Sequence, residues 1–264
     1  MGIEFYRPSK SLQPFIRYYW ILNASKDLDT LTFPIGCPQL IFHRRARFYI
    51  PELQSDQARF SISGQVNFPA RIQSTGNVET IVVVFYPHAV GTMFNIPVSV
   101  LYNHEIDGYS LGDKRLNILA DDVFNVDDSR EAVSMIDGWL LSRLEESAVY
   151  NFNRVGASLR HLFLDNSISV ESMAQHACLS RKQFERVFFS AVGMKPKEYS
   201  SVVRFQKSLW LMQNGARDFA DIAYSCGYAD QSHFIRGCRR YSGITPVELL
   251  KTQPVYSDLF ASPF

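Results

Sequence analysis

Residues 170–249 carry one pattern written twice, and that duplication constrains this chain more than any other feature. Ser180-Arg181-Lys182-Gln183-Phe184-Glu185-Arg186 returns fifty residues on as Asp230-Gln231-Ser232-His233-Phe234-Ile235-Arg236, and Gly193-Met194-Lys195-Pro196 returns as Gly243-Ile244-Thr245-Pro246. Upstream the offset is forty-nine: Val170, Met173, Ala174 and Ala177 recur as Phe219, Ile222, Ala223 and Cys226. The single-residue change falls at Ala229, in a turn. A repeat that holds register through two elements and slips only at a turn is a duplicated structural unit.

Each copy reads as helix, turn, helix. Apolar residues at i, i+3, i+4 and i+7 give the first helix one buried face. Ser169 and Asp218 stand where N-caps belong, and Ser180 and Asp230 cap the second helices. Ser180 with Gln183 makes a capping box. Phe184, Val187 and Phe188 form the inward stripe of one second helix. Phe234, Gly237 and Cys238 form that of the other, which predicts a thinner core there. The outward faces carry Arg181, Lys182, Glu185 and Arg186, then Gln231, Ser232, Ile235, Arg236, Arg239 and Arg240. One such face alone is an ordinary solvated surface. Two in matching positions, each behind a helix and turn, suit the DNA major groove, which is ~12 Å wide and whose base edges take guanidinium and amide groups.

The run Ala174-Gln-His-Ala-Cys-Leu-Ser-Arg-Lys-Gln-Phe184, with Arg204, resembles the first half of the DNA-binding domain of AraC/XylS-family transcription regulators. The run Asp221-Ile-Ala-Tyr-Ser-Cys-Gly-Tyr-Ala-Asp-Gln-Ser-His-Phe234 with Arg236, closed by Gly243-Ile-Thr-Pro246, is similar to that family's most distinctive signature. The departures are Gly237-Cys238, where a Phe is usual, and Leu249, where an aromatic is common. The resemblance covers about the last third of the chain. It implies two helix-turn-helix units joined by a helix, double-stranded promoter DNA as partner, and an RNA polymerase contact if the protein activates. It places base reading on Lys182, Glu185 and Arg186 in one groove segment and on Gln231, Ser232 and Arg236 in the next. Arg181, Arg239 and Arg240 are then phosphate contacts.

The charge distribution agrees. Residues 1–150 hold 13 Lys and Arg against 17 Asp and Glu, whereas residues 151–264 hold 14 against 9. The overall charge of +1 hides a basic half that coincides with the duplicated unit. Hydrophobic content of 46% and charge of 20% are globular values. The sequence suggests no long apolar run or signal peptide, so a cytoplasmic protein with no membrane role is expected. Cys37, Cys178, Cys226 and Cys238 lack metal or disulfide spacing and read as reduced packing residues.

From Pro14 to about Tyr86 the pattern is of strands: 15–22, 39–43, 47–50, 59–63, 70–73 and 80–86, separated by Gly, Pro, Asn and Asp. The continuous apolar run Thr80–Tyr86, bounded by Pro87, predicts a buried strand. Helices follow over about 88–95, 111–124 and 129–147. The last carries Val133, Ile136, Leu140 and Leu144 with Met135, Trp139 and Leu141, which suits packing on the barrel or pairing with a twin in a homodimer. Residues 145–153 read as a hinge, 154–165 as the opening helix of the second half, and 196–214 as a connecting helix holding the two units about 20–25 Å apart. The basic tract His43-Arg-Arg-Ala-Arg47 reads as a solvated hairpin end, with an anion site as the alternative.

Phe33-Pro-Ile-Gly-Cys-Pro-Gln-Leu-Ile-Phe42 and Phe85-Tyr-Pro-His-Ala-Val-Gly-Thr-Met-Phe94 are similar to segments of the β-barrel sensory domain in many AraC-like regulators. That implies a cupin-like barrel that takes a small effector. The expected architecture is α+β: residues 1–150 as an antiparallel barrel or sandwich with trailing helices, and residues 151–264 as an all-α DNA-binding domain. No cofactor or metal site is expected, since His43, His88 and His104 are isolated. No catalytic motif is present. Two other readings stay open: a constitutive DNA binder whose barrel only dimerises, and a DNA-modifying enzyme fused to a helix-turn-helix module. The latter requires a reactive thiol at Cys37.

Overall fold

The computed structural model describes residues 2–144, 150–216, 218–251 and 260. The N-terminal part is two antiparallel sheets. The larger is built from β1 (Gly2–Tyr6), β2 (Ile16–Ala24), β4 (Gln39–His43), β7 (Phe60–Ser63), β9 (Val78–Phe85) and β10 (Glu105–Asp107), in the order β1-β2-β9-β4-β7-β10. The smaller has β3 (Leu28–Thr32), β5 (Tyr49–Ile50), β6 (Ser55–Asp56) and β8 (Ala70–Ser74), in the order β3-β8-β5-β6.

Alternation along β9 decides how these sheets are covered. Val82 and Val84 face inward with Trp20, Leu22 and Ile41, toward Ile50 and Ile72 of the smaller sheet. Ile81, Val83 and Phe85 face the other way, into a core shared with helices α1 (Val90–Phe94), α2 (Lys114–Asn125) and α3 (Ser129–Leu144). Both faces of the central strand are therefore dry, which is why its sequence is an unbroken apolar run. In α3, Ala132, Val133, Ile136 and Leu140 are buried. Its Asp137 accepts hydrogen bonds from the Tyr19 hydroxyl at 2.8 Å and the Ser9 N–H at 3.0 Å, fixing the helix against the sheet.

The basic tract is not a solvated hairpin end throughout. His43 is fully buried, and the Arg44 side chain is only 7% exposed. Arg44 pairs with Glu79 at 2.5 Å and donates to the Val126 carbonyl and, at 2.6 Å, to Ser129. The guanidinium is spent on pinning the start of α3 to the sheet, leaving Arg45 and Arg47 as the solvated members.

The C-terminal part is helical: α4 (Tyr150–Leu164), α5 (Val170–His176), α6 (Arg181–Val192), α7 (Pro196–Gln213), α8 (Phe219–Ser225), α9 (Gln231–Ser242) and α10 (Pro246–Leu249). The four expected caps form: Ser169, Ser180, Asp218 and Asp230 each accept a backbone N–H in the first turn. Gly193 and Gly243 end α6 and α9 at φ +82° and +76°, the left-handed region that favours glycine. Residues 145–149 of the expected hinge lie outside the described residues, and 150–153 already belong to α4.

The two parts share a core. One contiguous apolar cluster joins Trp20, Val82 and Phe33 of the sheets to Phe188, Tyr199, Val202 and Phe205 of the helices. The central contact is α7 on the loop after β3. Phe205 meets Phe33 edge-on at 6.0 Å between ring centres, the Tyr199 hydroxyl donates to the Gly36 carbonyl at 2.9 Å, and Gln206 donates to the Pro34 carbonyl at 2.7 Å. At the end of α6, a side-chain carbon on Gly193 would stand 2.7 Å from the Val98 carbonyl oxygen, so only glycine allows that approach.

Candidate nucleic-acid interface and barrel cavity

In α6 the residues Arg181, Lys182, Glu185 and Arg186 are all exposed, while Phe184, Phe188 and Val192 are buried. In α9 Gln231, Ser232, Arg236, Arg239 and Arg240 are exposed over Phe234, Cys238 and Tyr241. Neither face is covered by the barrel. Lys182, Arg186 and Arg236 have no ion pair or hydrogen bond among the described residues, so their charge is available to a partner. Arg181 pairs with Glu185 one turn on, at 3.1 Å. That exposed i,i+4 contact is worth only about 0.3–0.5 kcal/mol and yields readily to a phosphate.

Arg240 differs. Its guanidinium lies 3.3 Å from Glu198 of α7. The same Glu198 oxygen accepts from Asn67 at 2.6 Å and Tyr102 at 2.8 Å, both on the barrel side. Helix α9 is thereby tied through α7 to the barrel. The residue spacing gave no signal of this link, because Asn67 and Tyr102 stand alone in loops.

The expected thin core of the second unit is instead filled. A side-chain carbon on Gly237 would stand 3.0 Å from the Tyr228 ring, and that ring packs edge-on against Phe234 at 5.5 Å between centres. Tyr241 is buried beside them. Glycine at 237 makes room for an aromatic ring delivered from the turn. The reading of all four cysteines as packing residues also needs correcting. Cys37, Cys226 and Cys238 are buried, but Cys178 is exposed in the first unit's turn, at φ +53°.

Between the two sheets lies a cavity of about 510 Å³. Its walls are largely apolar, with Trp20, Phe33, Phe48, Ile72 and Val82 among them, and Gln39, Gln57, Gln65 and Glu105 supply polar edges. A barrel filled by its own side chains would suit dimerisation alone; this one has room for a small molecule, within the usual size range of ligand sites. Among the described residues no group of three or more His, Cys, Asp or Glu could hold a metal ion. Cys37 reaches the cavity wall, but burial pushes its thiol pKa up, and Arg17, whose Nη1 stands 3.8 Å from the sulfur, only partly opposes this. A protonated thiol is a poor nucleophile.

Comparison with known proteins finds family models on two separate stretches of the chain. Residues 173–252 match the family model described as a helix-turn-helix domain, and residues 4–107 match a domain of unknown function (DUF6597). The HTH-type transcriptional regulator ArgR of Pseudomonas aeruginosa is 28% identical over 105 residues, covering 36% of this chain and 32% of that protein. The HTH-type transcriptional activator RhaS of Escherichia fergusonii is 30% identical over 105 residues, covering 40% and 37%. This chain thus spans about a third of the length of these relatives. ToxT from Vibrio cholerae O395 superposes over 88% of this chain and 95% of its own with a TM-score of 0.44 at 14% identity. Among the described residues no helix is long and apolar enough to cross a membrane. Residues 173–252 thus carry a helix-turn-helix domain of the AraC type, the part of the chain that these regulators share.

Proposed function

We propose that this protein is a sequence-specific DNA-binding transcription regulator in which residues 1–150 sense a small effector and residues 151–264 bind promoter DNA. The observation that carries this reading is the pair of exposed cationic faces on α6 and α9, in equivalent places of a duplicated unit. Lys182, Glu185 and Arg186 read one major-groove segment, and Gln231, Ser232 and Arg236 the next. Arg181, Arg239 and Arg240 hold phosphates, which set register without reading sequence. Successive grooves on one face of B-DNA lie ~34 Å apart, farther than α7 alone spans, so the DNA bends toward the protein. Circular-permutation gel shifts test the bend, and straight DNA would count against simultaneous contact.

The sensing half of the reading rests on the cavity and on its shared wall. The Phe33–Cys37 loop lines the cavity on one side and receives α7 on the other. An occupant pressing on that loop changes how α7, and with it both recognition helices, is held. A homodimer and, for an activator, an RNA polymerase contact belong to the same proposal. The decisive experiment selects a DNA site from random sequence and titrates Arg186→Ala and Arg236→Ala on it at fixed salt. Each substitution is expected to lose ~1–3 kcal/mol on the selected site and much less on random DNA. Equal losses on both would reassign these residues to phosphate.

A further inference from the structure

The cavity is built for a particular sign of charge. Asp56, Glu105 and Asp107 line it together with His104, and among the described residues no Lys or Arg does. Two of these acids are already committed: Asp56 faces Arg47 at 3.3 Å, and Asp107 accepts the Tyr109 N–H at 2.9 Å. Glu105 has no cationic partner among the described residues. It is held by a neutral relay in which Thr80 donates to His43 Nδ1 (3.0 Å), His43 Nε2 to Gln57 (3.1 Å), and Gln57 to Glu105 (2.6 Å). Burial lowers the His43 pKa to about 4, so the relay supplies dipoles and no countercharge. Burial pushes the Glu105 pKa up, with hydrogen bonds only partly opposing this, and a largely buried carboxylate without a countercharge carries a desolvation cost that a cation would relieve.

A second, independent feature points the same way. Gln65 is buried on the cavity wall, where its Nε2 donates to the Gly36 carbonyl at 3.1 Å and its Oε1 has no hydrogen-bond partner. The wall therefore offers acceptors in search of donors. Trp20, Phe33, Phe48 and Phe68 add aromatic rings, whose negative faces also favour cations. An anionic ligand would meet an acid, an acceptor amide and ring faces, and among the described lining residues only the exposed His104, with no Lys or Arg, could receive it.

We propose that the cavity binds an organic cation, an aryl- or alkylammonium whose apolar body fills the aromatic-lined space and whose N–H groups pair with Glu105, with a further donor for Gln65. This rests on the reading of the barrel as the sensing half, and it names the ligand class. It also suggests a route outward. The Gly36 carbonyl accepts from both Gln65 and Tyr199 of α7, so a ligand that engages Gln65 pulls on the group that docks the connecting helix.

The test uses the full chain and three matched probe types: phenethylamine with benzylamine and tryptamine, the neutral phenethyl alcohol, and the anion 3-phenylpropanoate. Calorimetry and thermal shift are expected to show the best-fitting amine binding about tenfold or more tighter than the alcohol, with no binding of the anion. Glu105→Gln is expected to remove that preference, bringing amine affinity down about tenfold relative to the alcohol; should this variant not fold, the matched probes on the unaltered chain decide. Failure of all three amines to bind, equal binding of the anion, or an undiminished amine preference in Glu105→Gln overturns the proposal. A gel shift on the same preparation separates the two readings. DNA binding without amine binding defeats the ligand class alone, and amine binding without DNA binding defeats the regulator reading alone.

Discussion

The docking of α7 on the Phe33–Cys37 loop makes a ranked prediction. Tyr199 and Gln206 lie seven residues apart on one buried face of α7 and donate to two carbonyls of one loop, Gly36 and Pro34. Tyr199→Phe removes the hydroxyl, but the Gly36 carbonyl keeps its second donor, Gln65. The expected cost is the net value of one neutral hydrogen bond, about 1 kcal/mol. Gln206→Leu leaves the Pro34 carbonyl without the amide that reaches it at 2.7 Å, and an orphaned buried acceptor costs about 1–3 kcal/mol. Gln206→Leu should therefore be the more damaging substitution, even though leucine is apolar and nearly the right size. In a chain this long, each kcal/mol corresponds to about 2–4 °C in Tm. Urea denaturation gives the free energies, and a DNA titration of each variant reads the consequence for binding. The two carbonyls are neighbours, so the double substitution should depart from additivity by about 0.5 kcal/mol or more. If Tyr199→Phe proved the costlier change, or if both were silent, the loop would not be what holds α7.

Acid should destabilise the fold through two histidines. Burial lowers the pKa of His43 to about 4 and of His88 to about 3, so between those values and the usual 6.5 only the unfolded chain takes up the protons. Stability is complete above pH ~6.5 and falls as pH drops below it, by about 1.4 kcal/mol per pH unit per histidine, or about 2 kcal/mol each at pH 5. Denaturation midpoints across pH 5–7 check this, and replacing His88 with Gln should flatten the slope. Arg239→Ala, at an expected phosphate contact, should weaken binding about equally on all sequences and reduce the salt slope by about 1, as read from titrations in graded salt. In the native protein a thiol reagent should modify Cys178 quickly and leave Cys37 untouched until the chain unfolds; rapid native labelling of Cys37 would reopen an enzymatic reading. Weakening Glu198 by Glu198→Gln should loosen Arg240 and raise affinity for DNA modestly, since a guanidinium 3.3 Å from a carboxylate is only partly free for phosphate. Lower affinity would show that the contact positions Arg240 for DNA.

The helical half was legible because its signals are local and repeated. Caps, apolar stripes and the left-handed glycines at 193 and 243 each specify a nearby piece of backbone, and the repeat ties the pieces into two equivalent units. In the sheets, the long strand β9 could be read from its covered faces. Short or mixed strands could not: β3 is Leu-Asp-Thr-Leu-Thr, β6 is two residues, and β1 and β10 lie at the edges of the larger sheet. Such strands owe their conformation to the neighbour they pair with, which leaves little trace in their own composition.

The two proposed functional surfaces differ for the same reason. A DNA-reading face is a set of side chains on one helix, so period and position reveal it. A cavity is an absence between elements far apart in sequence: Gln57, Gln65 and Glu105 come from separate loops and strands and meet only when the sheets close. Arg44 shows how local reading misleads. In a run of three arginines it looks like surface charge, yet Glu79, thirty-five residues away, and the Val126 carbonyl turn it into a buried clamp. The same holds for the contact that would carry a signal. Gly36 is a glycine at φ +70° in an unremarkable loop, but its carbonyl receives one donor from the cavity wall and one from α7. If an occupant of the cavity alters DNA binding, this carbonyl is the shortest shared point between them. Gly36→Ala, which strains a left-handed residue by about 1–2 kcal/mol, should then blunt the response to ligand more than it weakens binding of DNA itself. An unchanged ligand response in a folded Gly36→Ala protein would move the coupling to another part of the interface.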